Sequence, residues 1–155
     1  MPHLTTVKHL AIAGILGQIS FELYAWFISP VLFGPVLEPS NLVMGLTAKF
    51  TGLQISYGSA FVLHSLIGAF GFAALVYLVK KITSKGYALS GFIAGFALWF
   101  TAQGILAPLL GRSFMMGFGA YTQSSFVSHV GMTVIIALIW QWLAKRGGQS
   151  VEQPA

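Results

Sequence analysis

Apolar residues run almost unbroken through four stretches of the chain, about residues 10–33, 57–79, 87–110 and 121–143, and polar or basic residues gather between them. Each stretch approaches the ~20 residues a helix needs to cross the hydrocarbon of a bilayer. None shows the strict alternation of a barrel strand, and backbone groups in lipid must be paired within their own segment, so all four are predicted to be helices. The first stretch runs past the length of a signal-peptide core and is expected to be a span like the others. The fold expected is all-α: one four-helix transmembrane domain over residues 1–146, with a longer connection over 35–56 and a disordered tail over 147–155.

The connections differ in length and polarity. A short turn near 80–86 predicts that the second and third helices are antiparallel neighbours. In the 35–56 connection, "EPSNLVMGLTAKF" offers Ser40 as an N-cap for a short helix lying on the membrane surface. The stretch "GRSFMMGFGA" makes a tight, glycine-rich link between the third and fourth helices.

Composition agrees with a lipid-facing chain. Of 155 residues, 56% are hydrophobic and 7% are charged, against about 25% charged in a typical soluble domain. The mean hydropathy is +0.81. A net charge of +5 would suggest a polyanion partner in a soluble protein, but here the basic residues flank apolar segments, so nucleic acid is not expected. Lys8, Lys80, Lys81, Lys85, Lys145 and Arg146 fall at the end shared by the termini, and only Lys49 and Arg112 fall at the other. Positive charge is retained on the cytoplasmic side, so both termini are expected there, in a multi-pass protein of a bacterial inner membrane. Trp140 and Trp142 fit an inner aromatic belt, and Tyr57 and Tyr121 an outer one. The absence of cysteine excludes disulfides, thiolate metal sites and thiol chemistry.

Two stretches nearly rhyme: "SAFVLH" at 59–64 and "SSFVSH" at 124–129. "SPVLFG" at 29–34 and "APLLG" at 107–111 also echo each other, closing the first and third helices with Pro30 and Pro108. The pattern reads as a duplicated helical hairpin, its copies related by an axis along the membrane normal. "GFIAG" at 91–95 is a G-x-x-x-G helix-packing motif.

Polar side chains inside the spans are few. At 1.5 Å per residue, Glu22, His64, Gln103 and His129 each lie about 10–12 Å from the outer end of their helix. One such group per helix at one level predicts an intramembrane polar layer, supported on the same helix faces by Gln18, Ser125 and Thr133. A carboxylate in hydrocarbon costs at least ~2.5–3.5 kcal/mol, so Glu22 needs a partner or a proton. Three readings follow. The layer is a hydrogen-bonded clasp that fixes packing. It is a relay for protons or ions, because imidazole changes charge near neutrality. Or it binds a cofactor, with Glu22, His64 and His129 as ligands of a divalent metal, or the two histidines as axial ligands of haem. No local signature such as H-E-x-x-H supports a metal, and no cofactor is the leading expectation. His3 and His9 are expected to be solvated, and Met115 and Met116 to be apolar surface.

The order "HSLIGAFGFAALVYLV", "GFIAGFALWFTAQGILAPLLG", a Gly/Met/Phe link and "SHVGMTVIIALI" covers about half of the chain and resembles the YagU-like small bacterial inner-membrane proteins. The shared features are a His-x₃-Gly in the second helix, a Pro-Leu-x-Gly-like end to the third, and a histidine early in the fourth. The resemblance implies a helical integral membrane protein and singles out His64 and His129; it implies no particular activity. The chain has no nucleophile–base pair, phosphate loop or dinucleotide fingerprint. The function expected is non-enzymatic: an accessory, stabilising or assembly subunit of a larger respiratory or photosynthetic membrane complex. Its partners would be lipid and other transmembrane subunits, or further copies of itself. Proton or ion transport, and a haem or metal module, are the alternatives.

Overall fold

The computed structural model describes residues 4–147. Of the tail expected over 147–155, residues 148–155 lie outside the described residues, as does His3. The chain forms helices α1 (Leu4–Leu32), α2 (Ser40–Thr51), α3 (Tyr57–Thr83), α4 (Tyr87–Leu109) and α5 (Ala120–Arg146). All but α2 are long and apolar enough to cross a membrane, so the protein is a multi-pass membrane protein. Among the described residues there is no strand.

The four long helices form an up-and-down bundle in the cyclic order α1, α3, α4, α5, each packed on two neighbours. One end, called proximal here, carries the termini and the turn between α3 and α4. Residue 147 there lies against the His9 ring, and Trp140 packs on Tyr77 and Tyr87 at 5.7 and 4.9 Å. The other, distal end carries α2 and the α4–α5 link.

Small residues bring the backbones together, because packing in lipid relies on close van der Waals contact rather than on expulsion of water. A Cβ on Gly14 of α1 would collide with the Ala69 carbonyl of α3. A Cβ on Gly91 would stand 2.7 Å from the Thr133 carbonyl oxygen, and one on Gly95 2.6 Å from Val130 Cα, both on α5. The G-x-x-x-G pair is thus pressed onto the α5 backbone.

Three spans are interrupted by a π-helical turn: Tyr24–Ile28 in α1, Ile67–Phe72 in α3 and Thr101–Leu106 in α4. Two of them have a cause in the sequence. A proline ring clashes with the carbonyl four residues earlier and leaves it without a donor. For Pro30 and Pro108 those carbonyls belong to Trp26 and Gly104, which lie in the wider π turns, so α1 and α4 continue for a further turn instead of breaking.

A chain of hydroxyls ties α1 to α5 at the distal end. Ser29 Oγ lies 2.6 Å from the Pro35 carbonyl and 2.6 Å from Ser124 Oγ, which lies 3.0 Å from the Tyr24 hydroxyl. A carbonyl only accepts, so Ser29 donates to Pro35, Ser124 to Ser29 and Tyr24 to Ser124.

Four details differ from the sequence reading. Met115, expected as apolar surface, is buried, with 3% exposure. Ser40 is the first residue of α2 rather than its cap, and its buried Oγ has no partner. Trp140 faces the bundle instead of the lipid; Trp142 is exposed, with the Arg146 guanidinium 3.9 Å from its ring centre. His9 is half-buried rather than solvated.

Candidate functional site

The distal half of the bundle encloses a cavity of about 210 Å³. α3 supplies His64, α4 Gln103 and α5 His129 with Ser125 and Ser128, while α1 adds Phe21. Leu42, Val43 and Leu46 of α2 close the distal end, where Arg112 and Tyr121 also reach the lining. Two of the π turns border this space through Ile67, Phe72, Thr101 and Gln103. Such turns re-aim the residues that follow them and recur at functional sites. The phase change is visible on α3: Gly68 and Phe72 face inward and are buried, whereas Gly71 is exposed.

His129 is held firmly. Its Nδ1 lies 2.7 Å from the carbonyl of Ser125, one turn earlier, and 3.3–3.4 Å from the hydroxyls of Ser125 and Ser128. Since the carbonyl accepts only, Nδ1 carries the proton in that bond. Ser128 donates to the same carbonyl at 2.8 Å. Gln103 Nε2 donates to Ser125 Oγ at 3.1 Å and links α4 to α5. Aromatic rings cover the imidazole: Phe72 at 5.8 Å and Phe21, edge-on, at 6.4 Å.

His64 reaches the same cavity without such an anchor. Its Nδ1 is buried and has no hydrogen-bond partner, and Phe21 packs on its ring at 5.4 Å. Phe21 therefore touches both imidazoles. Gln103 Oε1 is also buried without a partner.

Glu22 stands apart. It does not line the cavity. It is half-buried, and its carboxylate accepts from Gln18 Nε2 at 2.7 Å and from Trp26 Nε1 at 3.1 Å, each one turn away on its own helix. Gln18 in turn lies over Gly68 of α3, where a Cβ would collide with its Oε1. Thr133 sits deeper, donating to the His129 and Val130 carbonyls at 2.8 and 3.1 Å and packing against Gly95. Of the residues expected in one layer, His64, Gln103, His129 and Ser125 share a space, while Glu22 and Gln18 form a separate pair and Thr133 serves the α4–α5 contact.

Comparison with protein-family models, with curated proteins and with solved structures finds nothing that matches this chain. The site therefore has to be read from its own geometry. Among the described residues no group of three or more His, Asp or Glu side chains could hold a metal ion, so Glu22, His64 and His129 do not form the ligand set considered above. An apolar cavity of roughly 150 Å³ holds one benzene molecule. The space here suits a single substituted ring, not a macrocycle.

Several lining residues escape a reading by depth alone. Phe21 precedes the conspicuous Glu22 in sequence, and Arg112 and Tyr121 sit at helix boundaries, where polar residues are ordinary. Proline at 30 and 108 was the available signal for displaced turns, but α3 has no proline and its π turn has no such marker.

Proposed function

We propose that this membrane protein is a non-enzymatic subunit that holds a small lipophilic molecule in its distal cavity. One observation carries the reading: four spans and a capping helix converge on a mainly apolar space with a few polar atoms, two of them buried and unpartnered. Small-molecule sites in membrane bundles have this character. The short connections leave little aqueous surface, which supports an accessory, stabilising or assembly role beside other transmembrane subunits, or in a homo-oligomer. The distribution of Lys and Arg supports cytoplasmic termini in a bacterial inner membrane. A proton or ion conduit has less support, because Glu22 lies off the cavity.

Native mass spectrometry of the chain released from mild detergent tests the proposal. The expected result is a retained small-molecule adduct that disappears in Leu46→Trp, where the indole fills the space from the cap. An adduct-free wild-type protein whose thermal unfolding is unmoved by lipophilic single-ring compounds would overturn it. Co-purification with larger subunits tests the accessory role, and proton flux in liposomes lost in Glu22→Gln would replace it with transport.

A further inference from the structure

The reading of a lipophile-binding cavity can be taken one step further, to the chemical class of the occupant, from the hydrogen-bonding state of its polar wall. His129 Nδ1–H is committed to the Ser125 carbonyl at 2.7 Å. In a neutral ring Nε2 is then a bare acceptor. A doubly protonated ring would need a counter-ion, and no acidic side chain lines the cavity. The residue is 9% exposed and borders the cavity, and its Nδ1 edge is tied back to its own helix, which leaves Nε2 as the ring nitrogen available to a ligand. Phe72 and Phe21 cover the rest of the ring. Gln103, 7% exposed, holds Ser125 Oγ, which also lines the cavity and lies 3.3 Å from the Nδ1 of the same ring. Ser125 has its own hydroxyl proton left to give.

We propose that the cavity takes a single-ring, hydroxyl-bearing lipophile of the phenol or hydroquinone class, with its hydroxyl donating to His129 Nε2 and its ring lying among Phe21, Phe72 and the apolar residues of α2. Once an occupant closes the cavity, an ether or hydrocarbon of the same shape would leave the Nε2 acceptor desolvated and bare, which is costly. The hydroxyl meets both needs of the wall: it donates to the imidazole and can accept from Ser125. The volume of about 210 Å³ fits one substituted ring.

The experiment is ¹⁹F NMR on the full chain in lipid nanodiscs, with empty nanodiscs as the partition reference. The probes are 4-(trifluoromethyl)phenol and its methyl ether, 4-(trifluoromethyl)anisole. The expected result is a distinct bound resonance for the phenol, at least tenfold weaker binding of the ether, and loss of that preference in His129→Phe. Equal binding of the two probes to the wild-type protein would overturn the hydroxyl assignment while leaving the lipophile-binding reading intact. Absence of a bound resonance for either probe would overturn both. The wild-type comparison decides the matter even where His129→Phe fails to fold.

Discussion

The two helical hairpins carry nearly the same letters around their histidines and use them differently. His129 in α5 is buried and anchored; His64 in α3 is partly open and unanchored. The neighbours account for the contrast. One turn before His129 stands Ser125, and next to it Ser128; the matching positions before His64 are Ala60 and Leu63. The second hairpin therefore has hydroxyls to hold its imidazole and the first does not. The helices also end differently at the distal side: α1 reaches α3 through a long connection containing α2, whereas α4 reaches α5 through ten residues, 110–119. Similar letters at matching positions give similar helices, but one or two changed neighbours decide whether an imidazole is fixed in one orientation or left unanchored.

The contrast can be broken at its base by Gly95→Leu. The side chain would be driven into the α5 backbone, and a loss of more than about 3 kcal/mol is expected, read as failure to yield folded protein or as a large drop in thermal unfolding temperature in detergent. The histidines themselves sharpen it. His129→Ala should cost about 2–4 kcal/mol by leaving a void and freeing its partners, and His64→Ala about 1 kcal/mol or less, measured by the same unfolding. Equal costs would remove the distinction drawn between them. Ser125→Ala, which makes the second hairpin resemble the first at this position, should cost about 1 kcal/mol through loss of the Gln103 bond. The smallest effect is expected for Gly71→Ala. Its Cβ would meet only the Ile67 side chain, at an ordinary 3.6 Å, so the change should stay within about 0.5 kcal/mol or stabilise slightly.

The fold was legible because lipid imposes one rule on every span. The apolar runs located α1, α3, α4 and α5, and the spacing in "GFIAG" located a real backbone contact. Helix ends moved outward by a few residues where Lys80, Lys81, Lys145 and Arg146 continue the turns beyond the apolar run. Depth was also legible, since counting residues along a helix gives height. Azimuth was not. Glu22 has the height expected of it, yet the cavity receives its neighbour Phe21, and the carboxylate is satisfied by Gln18 and Trp26 on its own helix. The π turns shift the phase of α1, α3 and α4 by an amount that a regular 3.6-residue count does not contain. Trp140 teaches the same lesson at the proximal end, where the interfacial preference of tryptophan is overridden by stacking on Tyr77 and Tyr87.

The link between α4 and α5 is wound the wrong way for L-residues. Met115, Met116 and Phe118 have φ of 51°, 49° and 57°, a conformation that costs about 1–2 kcal/mol for each non-glycine residue. Burial of the Met115 side chain and the 2.6 Å bond from Thr122 Oγ1 to its carbonyl hold the link in that shape. The link is therefore a fixed angular setting. One residue inserted there would break that setting and force α5 to re-seat against α4. One residue inserted between Gly52 and Ser56 would leave that dial untouched.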